Sequence, residues 1–248
     1  MSVAIACQDV KFNNIDAIIF DKDGTLENSL EFWRGVGTER ARLIDAQIPG
    51  VGEPLLMAFG ILDNSLDPTG LMAVGSRLEN EIAAAAYIAE TGRSWHEARE
   101  IAQQAFTELS ESKYIIKNPQ TVPLFADVKE TLEHLSNTGL KIGILSSDST
   151  SEVENFVDAH ELKKYIQLSM GVDGEIIKPD PRLFIQACQT LGVTPQQTLM
   201  VGDSAFDITM AKNANAAAAI GICRHKNVKL SQADIQISNL LELQTLSS

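Results

Sequence analysis

The chain has 248 residues, enough for one large α/β domain or for a core carrying an insertion. Its 44% apolar content supports a buried core, while 33 acidic against 20 basic side chains give a net charge of -13. That balance argues against broad nucleic-acid binding, which needs positive charge to displace counterions, although a local metal or lysine can still reverse the field for a small anionic substrate.

Cys7, Cys188 and Cys223 are odd in number and widely spaced, which speaks against a disulfide framework or a zinc site. The first ten residues lack a signal-peptide pattern and no apolar run reaches 18 residues, so the reading is a cytoplasmic protein with no membrane span.

The first strand expected is 15–20, Ile15-Asp16-Ala17-Ile18-Ile19-Phe20. It runs directly into Asp21-Lys22-Asp23-Gly24-Thr25-Leu26. Residues 28–124 then break from strand signals into helical segments near 29–47, 51–61, 78–91 and 94–112. Ile82, Ala85, Ala86 and Ala89 follow helical spacing, and Met57, Phe59, Leu62 and Trp95 read as packing of this insertion. An insertion after the first strand falls beside the carboxyl edge of a parallel sheet and is placed to act as a lid.

From Val122 onward helices and strands alternate. Helices are expected at 127–138, about 151–160, 181–191 and 205–213, with strands at 140–145, 166–169, 198–201, 216–222 and 234–237, although the alanines of 216–222 also allow a helix there. Ser151 with Glu154 and Ser149 with Glu152 compete to cap the second of these helices. Asp180, Pro181 and Gly192 bound the third. The predicted fold class is α/β: a Rossmann-like, mostly parallel sheet with helices on both faces, formed by 1–27 and 125–248, plus an inserted α-helical cap at 28–124.

Four sites converge at the carboxyl edge of such a sheet: Asp21 with Asp23, Ser146 after the strand at 140–145, Lys178, and Asp203 with Asp207 in Gly202-Asp203-Ser204-Ala205-Phe206-Asp207. Gathered carboxylates suit Mg²⁺, a hard cation that prefers oxygen ligands. A lysine and a hydroxyl suit a phosphoryl group, which a carboxylate can attack while a neighbouring carboxyl group handles the proton. Ser147 competes with Ser146, and Thr25 serves equally well as a structural hydroxyl or a phosphate ligand.

With DKDGTL at 21–26, Ser146, Lys178 in KPDP and GDSAFD at 202–207, the chain resembles the haloacid-dehalogenase-like hydrolases, in their phosphatase branch. The position and helical character of the insertion resemble phosphoglycolate phosphatases and β-phosphoglucomutases. The resemblance implies Asp21 as nucleophile, Asp23 as general acid/base, and Ser146 and Lys178 as phosphate ligands. It places Mg²⁺ on the side chains of Asp21 and Asp203 and the backbone carbonyl of Asp23, with Asp207 and Thr25 in support. Lys22 departs from the apolar residue usual at its position and is expected to point away from the catalytic carboxylates.

In the insertion, Arg77 and Ser76 are candidate substrate contacts, with a plain interhelical loop as the equal alternative, and Trp33 and Arg34 lie near the hinge. The four histidines show no zinc spacing. The expected activity is Mg²⁺-dependent hydrolysis of a small phosphorylated metabolite. A phosphomutase is the first alternative and a non-catalytic binding protein the second. Neither a nucleic acid nor a membrane is an expected partner, and the sequence leaves monomer and homodimer open.

Overall fold

The computed structural model describes residues 2–112, 116–225 and 228–246. These divide into two compact units, one formed by Met1–Asn28 with Pro123–Ser248 and the other by Ser29–Val122. In chain order the first unit begins with β1 (Val3–Cys7), β2 (Val10–Ile15) and β3 (Ala17–Phe20). The second unit contributes α1 (Leu30–Gln47), α2 (Gly52–Phe59), β4 (Ile61–Leu62), β5 (Ser65–Leu66), α3 (Leu71–Val74), α4 (Arg77–Glu90) and α5 (Trp95–Glu111). The first unit then resumes with α6 (Val128–Ser136), β6 (Lys141–Leu145), α7 (Thr150–Ala159), β7 (Leu168–Met170), α8 (Pro181–Leu191), β8 (Thr198–Gly202), α9 (Ala205–Asn213), β9 (Ala218–Ile222), β10 (Ile235–Ile237) and β11 (Leu243–Leu246).

The main sheet has the order β10-β9-β8-β3-β6-β7, and every pairing in it is parallel. Its strands read as continuous apolar runs because both faces are covered. Along β3 the side chains alternate: Ile18 and Phe20 join the cluster containing Val128, Leu132 and Val153. Ala17 and Ile19 join Phe184, Ala187 and Ile208 on the opposite face. β3 lies between β6 and β8, with Phe20 opposite both Ile144 and Val201. The chain leaves β3 toward β6 and β7, then returns past β3 to β8 and β9, so the sheet changes direction at β3. That is where open α/β sheets place their ligands.

Several local expectations need correction. Among the residues before Asp16 the structure forms β1 and β2, which pair antiparallel with each other, and β1 also pairs antiparallel with β11 from the far end of the chain. The polar Val10-Lys11-Phe12-Asn13-Asn14-Ile15 shows only Ile15 buried, so its strand character comes from pairing rather than from an apolar face. The helix α7 is capped by Ser149 with Glu152, not by Ser151 with Glu154.

In the helical unit, α4 buries Asn80, Ala84, Ala85 and Ile88, whereas Ile82 and Ala86 are exposed. Alanines at 84 and 85 pack with Ala98, Ala102 and Ala105 of α5 in one core that also holds Phe59 and Phe106. Met57, Leu62 and Trp95 are exposed, so of the four residues expected to pack the insertion only Phe59 is buried.

Candidate active site

Three adjacent strands deliver the site. Asp21 follows β3, with its backbone N–H donating to the Val201 carbonyl at 2.8 Å, Ser146 follows β6, and Asp203 follows β8. Lys178 comes from the segment before α8, and Asp207 from the first turn of α9. The Lys178 ammonium donates to Asp21 Oδ1 at 2.6 Å and to Asp207 Oδ1 at 2.7 Å. The other oxygen of Asp207 accepts from the Ser204 hydroxyl at 2.6 Å, within a capping box that fixes the start of α9.

Among the described residues Asp21, Asp203 and Asp207 each offer an oxygen, all within 4.8 Å of one another. Among the described residues the cation paired with these carboxylates is the Lys178 ammonium, so full ionisation of all three would leave excess negative charge in a buried site. Burial raises the Asp21 carboxyl to about 7; Lys178 opposes the rise, and Asp207 and Asp23 add to it. Burial, then Asp21 and Asp207, hold Asp203 well above the usual carboxylate range. Burial works against the Lys178 ammonium, but Asp207 and Asp21 outweigh it and lift its pKa above the ordinary lysine value.

Oxygen donors with excess negative charge fit a hard divalent cation. The backbone makes room for this cluster. Gly24 has φ +72, and a Cβ placed there would lie 1.9 Å from Asp203 Oδ2. Asp203 therefore packs directly against the Gly24 backbone, and the Thr25 hydroxyl approaches Asp203 Oδ1 at 3.4 Å.

Ser146 is buried, its hydroxyl accepting from the Asp148 N–H at 3.1 Å. Asp23 stands beside the cluster without joining it; its Oδ2 is bound by Lys22. The expectation that Lys22 points away from the catalytic carboxylates is wrong for a local reason. Strand alternation stops at Phe20, and the Lys22 carbonyl accepts from the N–H groups of Leu26 at 2.9 Å and Glu27 at 3.1 Å. This tight turn folds the lysine back onto Asp23, Glu27 at 2.6 Å and Asp148 at 2.9 Å. Burial opposes the Lys22 charge, yet Asp23, Asp148 and Glu27 raise its pKa well above normal.

Sequence reasoning also missed Arg224 and Asp127. Arg224 donates to both Asp127 oxygens, at 2.6 and 3.0 Å, and to the Thr25 carbonyl at 2.9 Å, fixing the far side of the Asp21–Glu27 turn. Nothing in their local sequence marks them. Glu27 and Asp148 carried a faint signal, as acids close to the motifs.

The remaining candidates belong to the helical unit. Ser76 caps α4 in a box with Glu79. Arg77 pairs with Glu81 at 2.8 Å and reaches Thr107 at 3.3 Å. Trp33 stacks edge-on with Phe32 at 5.2 Å, and Arg34 holds Glu31 and Asn64. All four are engaged in local structure.

A family model described as haloacid dehalogenase-like hydrolase matches residues 15–215. The phosphoglycolate phosphatase of Yersinia pestis is 30% identical over 217 residues, 86% of this chain and 83% of that protein. A Clostridium perfringens protein, provisionally named a pyrophosphatase, is 39% identical over 95 residues, which span 37% of this chain and 44% of its own. In fold, the chain is similar to the β-phosphoglucomutase of Clostridium difficile, with a TM-score of 0.62 at 18% identity, covering 93% of this chain and 93% of that one. Among the described residues, no helix is long and apolar enough to cross a membrane.

Proposed function

The chain belongs to the haloacid dehalogenase-like hydrolases, and from that premise we propose that it is a Mg²⁺-dependent phosphomonoesterase for a small phosphorylated metabolite, working through a phosphorylated Asp21. The observation that carries this reading is the buried cluster in which Lys178 bridges Asp21 and Asp207 beside Asp203. Asp21, Asp203 and Asp207 supply oxygen donors for the cation, with the Asp23 carbonyl as a further donor by family resemblance. When bound, Mg²⁺ offsets the repulsion between the anionic nucleophile and the anionic phosphoryl group.

In the first step an Asp21 oxygen forms a bond to phosphorus while the bond to the leaving oxygen breaks. Asp23 gives that oxygen its proton. In the second step water attacks the phosphorus, Asp23 takes the water's proton, and the Asp21–phosphorus bond breaks to release phosphate. Lys178 holds the Asp21 carboxylate in place and, with Ser146, receives the phosphoryl oxygens.

The 30% identity to a phosphoglycolate phosphatase over most of both chains favours a small carboxylate-bearing phosphomonoester as substrate. The test is a phosphate-release screen across metabolite phosphates, run with Mg²⁺ and with a chelator. Phosphate released only with Mg²⁺, and not by Asp21→Asn, is the expected result. An isomeric sugar phosphate formed with little phosphate release would identify a phosphomutase instead.

A further inference from the structure

The lysine between the two catalytic aspartates is fully buried, a costly position for an ammonium unless every donor is used. Its ammonium meets three carboxylates: it donates hydrogen bonds to Asp23 Oδ2 and to Glu27 Oε1 at 2.6 Å, and forms an ion pair with Asp148 Oδ2 at 2.9 Å. The Phe156 ring closes another side, 5.7 Å from the ammonium. The lysine's own carbonyl holds the N–H groups of Leu26 and Glu27. One residue thus fixes both the backbone turn and the side chain that follows it.

We propose that Lys22 is a positioning residue for Asp23, tying its carboxyl group to Glu27 and Asp148 so that the carboxyl group keeps the orientation needed for proton transfer to and from the reacting oxygen. The inference rests on the reading of Asp23 as general acid/base. Asp23 Oδ2 is the oxygen that Lys22 holds, and the Asp23 side chain keeps 19% exposure, so the anchored carboxyl group is not sealed from solvent. An unanchored aspartate would sample several rotamers, and proton transfer loses rate steeply with misplacement. Asp148 lies two residues beyond Ser146, so the same ammonium also ties the acid/base turn to the loop that carries the candidate phosphate ligand.

A merely structural lysine would slow every substrate alike. A positioning lysine would slow substrates in proportion to their need for a proton. p-Nitrophenyl, phenyl and benzyl phosphate have similar shapes and progressively poorer leaving groups, so kcat across the three separates the cases. The working variant is Lys22→Met with Glu27→Gln, which avoids stranding the buried Glu27 charge, and urea unfolding checks that it folds.

Asp23→Asn alone should lose about 100-fold or more on benzyl phosphate and far less on p-nitrophenyl phosphate. The Lys22→Met/Glu27→Gln protein should lose roughly 10- to 100-fold on benzyl phosphate with the same ordering. Combining all three substitutions should cost no more than Asp23→Asn alone, because the two act as one unit. If Asp23→Asn shows the selective loss but the lysine variant slows all three equally, or the losses multiply, the positioning role is overturned while the acid/base reading stands. If Asp23→Asn itself slows all three equally, the acid/base reading fails and the inference with it. Should the double variant not fold, Lys22→Arg is read by the same series and the same criteria.

Discussion

Replacing Asp21 by Asn should stabilise the cation-free protein, and the gain should grow with pH. Burial raises the folded-state pKa of Asp21 to about 7 from an ordinary value of 3.8. The fold therefore retains a proton that the unfolded chain releases between about pH 4 and pH 7, and stability falls as pH rises through that window. A rise of about three units at 1.36 kcal/mol each sets a ceiling of about 4 kcal/mol above pH 7. At pH 5 only about 1.6 kcal/mol of that penalty has developed. Against the gain, Lys178 loses one of its two carboxylates but keeps Asp207. The net gain for Asp21→Asn should be about 1–2 kcal/mol at pH 8, and by pH 5 it should vanish or reverse by about 1 kcal/mol.

Urea unfolding in chelator at both pH values measures this directly. Adding Mg²⁺ should reverse the order at pH 8, because a cation at 100 times its Kd stabilises the native wild-type protein by about 2.7 kcal/mol. An Asp21→Asn protein that is equally destabilised at both pH values, with or without Mg²⁺, would refute the picture of three crowded carboxylates awaiting a cation.

Gly24→Ala should reduce phosphate release by roughly 100-fold or more, since its Cβ would meet Asp203 Oδ2 at 1.9 Å and displace it. The left-handed backbone at φ +72 adds a stability loss of about 1–2 kcal/mol, readable by urea unfolding. In the helical unit, Arg40 is buried with its guanidinium 4.0 Å from the Phe106 ring, and its Nε has no partner among the described residues. Burial, then Arg77, lowers its pKa to about 10, so the guanidinium stays charged below that pH and folding bears the same burial cost throughout that range. Arg40→Met should gain roughly 1 kcal/mol, equally at pH 6 and pH 8, after the lost ring contact is subtracted. Arg224→Met should instead destabilise by about 3–5 kcal/mol, because it strands the buried Asp127 carboxylate. Thermal or urea unfolding distinguishes these opposite signs.

What the sequence revealed, and what it hid, follows from the range of the interactions. β3, β6 and β8 are apolar runs ending in polar motifs, and a strand buried on both faces has that appearance without reference to its neighbours. Asp180, Pro181 and Gly192 bound α8 by local backbone chemistry alone. By contrast, β2 is polar and β11 lies at the other end of the chain, so their sheet exists only through pairing that no local pattern encodes.

The insertion's helices were visible, but not which face packs. Ile82 is exposed because small alanines at 84 and 85 let α4 approach α5 closely on an adjacent face. Strand alternation gives the wrong direction for Lys22 because the chain leaves the extended conformation at the end of β3. The Arg224–Asp127 pair joins positions 97 residues apart and has no sequence signature.

The central claim is that Asp21 carries the phosphoryl group, and the most direct measurement is to quench the protein during turnover with Mg²⁺ and map phosphate by peptide mass spectrometry. The account predicts a hydroxylamine-labile phosphate on Asp21 that is absent from Asp21→Asn. Phosphate on another residue, or full turnover by Asp21→Asn, would contradict it.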